Sequence, residues 1–160
     1  MFNQYDYFQS RQKQVPEINT LSRVTGITGM EEFVQNIRDI KPLILAVEDD
    51  ADGYLDLSSG NVDHGFHTFM ILDIAKLNDS TDRVRALNNC MKAALKLFRI
   101  MMEDGKEFGD PFYGFDKSRI DYQRIGPLAN NTFGYLFSYI LKNENFRLVD
   151  LPEEHNDPVP

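Results

Sequence analysis

The sequence predicts an α+β fold: an antiparallel sheet of about four strands, a long amphipathic helix over about residues 80–104 packed on one face, and an N-terminal helix. Three stretches carry that expectation. Val84, Leu87, Met91, Ala94, Leu95, Phe98, Met101 and Met102 recur in threes and fours, the spacing of one helix face. Phe133, Tyr135, Phe137 and Tyr139 fall at every other position, the spacing of one strand face. The run "FHTFMILDIAK", Phe66 to Lys76, is apolar on both alternating faces, which suits a central strand, and its Phe, Thr and Ile favour that state.

The remaining elements follow in order. Phe2, Tyr5, Tyr7 and Phe8 form one face of a short helix that Pro16 limits. "VPEINTLSRVTGITG" reads as irregular. Thr28 to Glu31 has the form of a capping box, and the helix after it carries Phe33, Val34, Ile37 and Ile40 until Pro42 ends it. "PLILAVE", with Leu43, Ile44, Leu45 and Val47, reads as a buried strand. The stretch Glu48 to Gly65 is rich in acids and glycine and reads as a long loop holding one short strand near Tyr54–Leu57. Asp79 or Ser80 caps the long helix, and Gly105 supplies a left-handed stop. A second long loop runs from Gly105 to Ser118. Ile120, Tyr122 and Ile125 mark a strand that Gly126-Pro127 breaks; Asn130-Asn131 turns the chain. Gly134 inside the last strand marks a bulge or a close backbone approach. The core is expected to gather Leu45, Phe69, Ile71, Leu87, Met91, Leu95, Phe98, Tyr135 and Phe137.

At 160 residues the chain fits one domain over 1–150, with a loose tail over 151–160 that holds three prolines and three acids. A core of this size needs no disulfide or metal, and the single cysteine, Cys90, has no partner within the chain. The first residues are polar and lack the apolar core of a signal peptide. No apolar run approaches the length of a membrane span. With 25 acids against 17 bases the net charge is −8, which opposes binding to a phosphate backbone.

Four groups of residues are candidates for chemistry, and each has a simpler alternative. With Gly53 at the sixth position of a calcium loop, Glu48, Asp50 and Asp52 fall at the first, third and fifth, but the twelfth is Ser59 and not Glu. The simpler reading of acidic residues 48–53 is a solvated turn. His64 and His67 lie near Asp63 and Asp73, yet a metal needs about three convergent ligands. Residues 63 and 73 are about 33 Å apart on an extended strand. Cys90 has no histidine near it and reads as an inert core thiol. Ser58-Ser59-Gly60 is too short for a phosphate loop. The aromatic stripe Phe133 to Tyr139 is core under the long helix, or else a platform for a partner or single-stranded nucleic acid. No catalytic, cofactor-binding or metal residue emerges.

Three stretches, "KPLILAVE" with "FHTFMILDIAKLNDSTDRVRAL", "NNCMKAALKLFRIMMED" and "RIGPLANNTFGYLFSYIL", resemble the tail terminator (tail-completion, neck) proteins of tailed bacteriophages and prophages of Bacteroides type. The resemblance covers roughly Lys41 to Leu141 and consists of apolar and turn patterns. It implies an α+β fold, no catalysis and no cofactor. It also implies self-association into a hexamer-like ring and contacts with other tail or neck proteins. No sequence-specific nucleic-acid contact and no membrane are implied. The place of action would be the bacterial cytoplasm during assembly and then the virion tail. An acidic ring would let DNA pass without holding it. A small α+β module binding a protein or ligand is the alternative, and a hydrolase or metal enzyme built on Asp63, His64, His67 or the acidic run is a third.

Overall fold

The computed structural model describes residues 2–36, 41–48, 52–58, 62–108, 110–113 and 115–143. The tail 151–160 lies outside them, as do Ile37, Ile40, Asp50 and Ser59. The element order is α1 (Gln4–Arg11), β1 (Thr20–Val24), α2 (Gly26–Asn36), β2 (Ile44–Glu48), β3 (Asp52–Asp56), β4 (Val62–Ile74), α3 (Ser80–Asp104), β5 (Asp121–Leu128) and β6 (Thr132–Asn143). The fold is α+β, with one six-stranded mixed sheet in the order β1-β2-β4-β6-β5 and β3 added to β4. The sheet therefore has two more strands than the sequence led one to expect, and it is not wholly antiparallel. The difference lies largely in "TLSRV", which pairs in parallel with β2, Thr20 opposite Ile44. Its single exposed arginine and short length hide the strand, and pairing with a buried neighbour overrides weak local preference.

Strands β4 and β6 form the spine, paired from Asp63 with Asn143 to Ile74 with Thr132. Odd-numbered residues of both strands face α1 and α3. There Phe69 stacks on Phe137 at 5.3 Å, and Phe98 of α3 meets Phe137 edge-on at 5.6 Å. Phe8, Leu45, Ile71, Leu97, Met101, Phe112 and Tyr139 complete this core. The opposite face carries a smaller cluster, Val24, Ile44, Ala46, Met70 and Leu72, against which Phe33 of α2 packs. The aromatic stripe is thus core: Phe133, Phe137 and Tyr139 are buried and Tyr135 half-buried.

The long helix spans Ser80–Asp104 as its periodicity predicts, with the Asp79 carboxylate accepting from the Asp82 amide at 2.9 Å. Its buried face is rotated from the expected one. Ala86, Cys90, Ala93, Ala94, Leu97, Phe98 and Met101 are buried, whereas Leu95 is 61% exposed and Val84 55%. Leu87 and Met91 sit at the margin, half-buried. The reason is steric. The sheet already presents Phe69, Phe137 and Tyr139, and small Ala and Cys side chains let the helix settle between them at close-packed density. Ranking positions by side-chain size alone picks the wrong stripe.

Local signals fared unevenly. Asn3 caps α1 through the Asp6 amide at 3.0 Å. Thr28 lies inside α2, whose first turn closes from the Gly29 amide onto the Thr25 carbonyl at 3.1 Å, so Thr28 does not cap it. Gly105 has φ −68° and is not left-handed. It is demanded instead by approach, since a Cβ there would sit 2.3 Å from the Phe112 carbonyl oxygen. A Cβ on Gly134 would lie 1.9 Å from the Ile71 carbonyl oxygen, the close backbone approach its position implies. Gly126-Pro127 does not end β5; the register shifts between Ile125 and Leu128 and pairing resumes. Asn130 and Asn131 take φ of 55° and 57° and turn the chain into β6.

The second long stretch, 105–118, is a loop as expected, but the first is not: most of the described residues of 48–65 are strand, because β3 gains a partner in residues 62–66 of β4. In 105–118, Phe112 and Phe115 are buried and Phe115 bridges to Leu141.

Candidate functional site

Two places combine polar or exposed apolar groups: a depression at the C-terminal end of β4, and an arm at its N-terminal end. The depression, about 360 Å³, is lined in part by Glu17, Asn19, Asp73, Arg85, Asn89 and Lys92. Asp73 is the one acid in an otherwise apolar stretch of strand, and its side chain is only 3% exposed. One carboxylate oxygen accepts from Arg85 Nη1 and Asn89 Nδ2, each at 3.1 Å; the other accepts from the Ile74 amide at 2.8 Å. Arg85 also donates to the Ile74 carbonyl and the Asp82 carboxylate. That contact, with the Lys76 amide, holds Asp82 down to about 2. Buried charge is tolerated when it is paired and its lone pairs are filled. Here Asp73, Asp82 and Arg85 are committed to one another, so the arrangement latches the first half of α3 to the sheet. Lys96 and Glu17 form a further ion pair beside it.

A similar latch holds α1. Tyr7 Oη and Arg11 Nε donate to Asp104 Oδ2 at 2.7 and 2.9 Å. An acid in the last turn of a helix opposes the dipole, so Asp104 needs these partners. Burial, followed by the Asp104 carboxylate, raises the Tyr7 phenol far above its ordinary value.

The arm is built from β3, the first residues of β4 and the end of β6. Tyr54 lies opposite His64 and stacks on it at 4.4 Å with a 6° interplanar angle, and Phe66 adjoins at 5.9 Å. Tyr54, Leu55, Leu57 and Phe66 are all 40% exposed or more. Among the described residues β3 pairs only with β4, so its outer backbone edge is open. Glu48, where β2 ends, accepts from the Thr68 hydroxyl.

The structure does not assemble the sequence-level candidates into a site. Glu48 and Asp52 stand in two extended strands, and Asp50 and Ser59 lie outside the described residues. His64 and His67 point to opposite faces of β4. His64 stacks on exposed Tyr54, while His67 is buried between Phe2, edge-on at 5.3 Å, and Tyr139, stacked at 5.6 Å. Burial lowers the His67 imidazole to about 4, with Asp63 opposing the shift. Asp73 is six residues from His67 along a strand, about 20 Å away. Cys90 is wholly buried, its thiol directed at the Phe133 carbonyl and raised by burial and then by Asp73. Among the described residues no three His, Cys, Asp or Glu side chains gather as metal ligands. No helix there is long and apolar enough to cross a membrane. Compared with known proteins, the chain matches no family model and no curated sequence.

Sequence reasoning missed the Asp73 latch and the Asp104 latch. Each had a signal: a lone acid in an apolar strand run, and an acid where a helix end favours a cation.

Proposed function

We propose that this chain is a non-catalytic assembly protein of a tailed phage or prophage, acting as a tail terminator or head–tail joining component that associates into a ring. The observation that carries the reading is the arm: Tyr54 and Leu55 lie exposed on β3, whose outer edge has no partner among the described residues, with Leu57 just beyond it and Phe66 exposed on the adjoining β4. Exposed apolar groups clustered in this way mark an interaction site, and an open strand edge is a template for another chain. The buried polar groups support the same reading, because Asp73, Tyr7 and Asp104 spend their hydrogen bonds on holding helices to the sheet. The net charge of −8 suits a ring through which DNA passes. The resemblance over Lys41 to Leu141 supplies the choice of tail terminator among assembly roles.

The test is deletion of the gene in a strain that encodes it and can be induced to release particles. Loss of joined, tailed particles, or tails of uncontrolled length, is expected in electron micrographs. Joined particles with tails of normal length would refute the assignment.

A further inference from the structure

Among the described residues three strands, β1, β3 and β5, pair on one side only, and β3 and β5 differ in charge. Strand β3 pairs only with β4, and β5 only with β6, among the described residues. The two edges are matched in length: β3 offers the five residues Asp52–Asp56, and β5 the five residues Asp121–Ile125 before its register shift. Residues 48–66 contain six acids and no lysine or arginine, whereas 117–124 contain Lys117, Arg119 and Arg124 against the single acid Asp121. Each edge also carries exposed apolar surface, Tyr54 and Leu55 on one and Tyr122 on the other.

Resting on the assembly reading above, we propose that the β3 edge of one copy of this chain adds to the β5 edge of a second copy. Strand addition supplies backbone hydrogen bonds as the common adhesive and side chains as the selector. Here the selector is charge. Two β3 edges meeting each other would oppose Asp52 to Asp52 and Asp56 to Asp56, or one to the other, and like charges across a sheet are unfavourable. The same acids meeting Arg119 and Arg124 are favourable. Arg119 bonds Asp121 within its own chain at 3.0 Å, but an exposed pair two residues apart is weak and exchanges readily. Edges are commonly blunted by proline, lysine or a bulge. β3 has none of these, and in β5 Pro127 and the register shift come only after the five regular residues. Because two different edges meet, the contact is head-to-tail, and it propagates into a closed ring or a filament.

The test uses two variants of the full chain. D52K/L55K makes the arm basic, and R119E/R124E makes the β5 edge acidic; all four positions are exposed. Asp56 is left in place because it holds Ser58 through two hydrogen bonds. Sedimentation velocity is run on each protein up to the millimolar range, and on an equal mixture. Wild type is expected to self-associate. Each variant alone should associate at least about tenfold more weakly, as like-charge juxtaposition requires. The mixture should recover the wild-type mass, because the two altered edges complement each other and so do the two unaltered ones. A misfolded variant gives no recovery, and recovery itself establishes that both fold. If R119E/R124E alone associates like wild type, β3 pairs with something other than β5 and the proposal is overturned. It is likewise overturned if the mixture stays dissociated although circular dichroism and thermal melting show both variants folded like wild type, or if wild type is monomeric throughout. Association of wild type that neither variant disturbs removes the edge pairing and leaves the assembly reading standing; particle morphology in the gene deletion decides that reading separately.

Discussion

Acidification should unlock α1 from the sheet through His67. The ring lies between Phe2 and Tyr139, with the Gly65 backbone beneath it, and only 9% of the residue is exposed. Burial lowers its pKa from 6.5 to about 4. The folded state therefore binds the proton less tightly than the unfolded chain. Stability from keeping His67 neutral is complete above the unfolded pKa and is lost as pH falls from 6.5 toward 4. Linkage gives a loss of about 2 kcal/mol by pH 5, approaching about 3 kcal/mol below pH 4. Most carboxylate titration falls lower: Asp82 sits at about 2, and Glu17, Glu103 and Asp116 are all held below their ordinary values. Between pH 7 and 5 the difference between wild type and a His67 variant therefore reads this histidine, since the other two histidines are common to both proteins. Urea unfolding midpoints of wild type and His67→Phe, measured across that interval, form the assay. Wild type should lose stability as pH falls, while the variant, which keeps the ring contacts and cannot titrate, should change far less. Parallel losses in the two proteins would refute the burial argument.

Three further outcomes follow from packing. Leu95→Ala should change stability by less than about 0.5 kcal/mol, whereas Leu97→Ala should cost about 2–5 kcal/mol in urea unfolding, because only Leu97 faces the sheet. Gly134→Ala places a methyl group 1.9 Å from the Ile71 carbonyl oxygen; overpacking of that severity should exceed about 3 kcal/mol and lower the thermal midpoint by about six degrees or more, or prevent folding. Cys90 should react with a thiol reagent only as fast as the chain opens, since its thiol is buried and held protonated. Rapid labelling in native buffer would show the α3 face to be accessible.

How much was legible in the sequence depended on whether the signal was local. The 25-residue helix was readable because its cap at Asp79 and its periodicity are local signals; Gly105 marks its end through close approach to Phe112 and not through the left-handed stop expected of it. The central strands were readable because Phe66 to Lys76 and Phe133 to Tyr139 are strongly patterned. The orientation of α3 was not readable, since it depends on how much room Phe69 and Phe137 leave, a property of a different part of the chain. Strand β1 was obscured for the same reason: "TLSRV" is a strand by virtue of its partner, whereas β3 at Asp52–Asp56 answers to the short strand expected near Tyr54–Leu57. The two latches required knowing that residue 11 meets residue 104 and residue 73 meets residue 85. The arm was the least visible of all. Its acids and glycine read as a loop around one short strand, and only the register Tyr54 to His64 reveals that this strand extends β4 as an exposed edge.

The central claim is that this chain is a built-in part of a tailed particle. Particles released from a strain encoding it, purified by density gradient and analysed by quantitative mass spectrometry, test that claim most directly. The account predicts the chain at a fixed, multiple copy number relative to the other tail proteins. Tailed particles that lack the chain would contradict it.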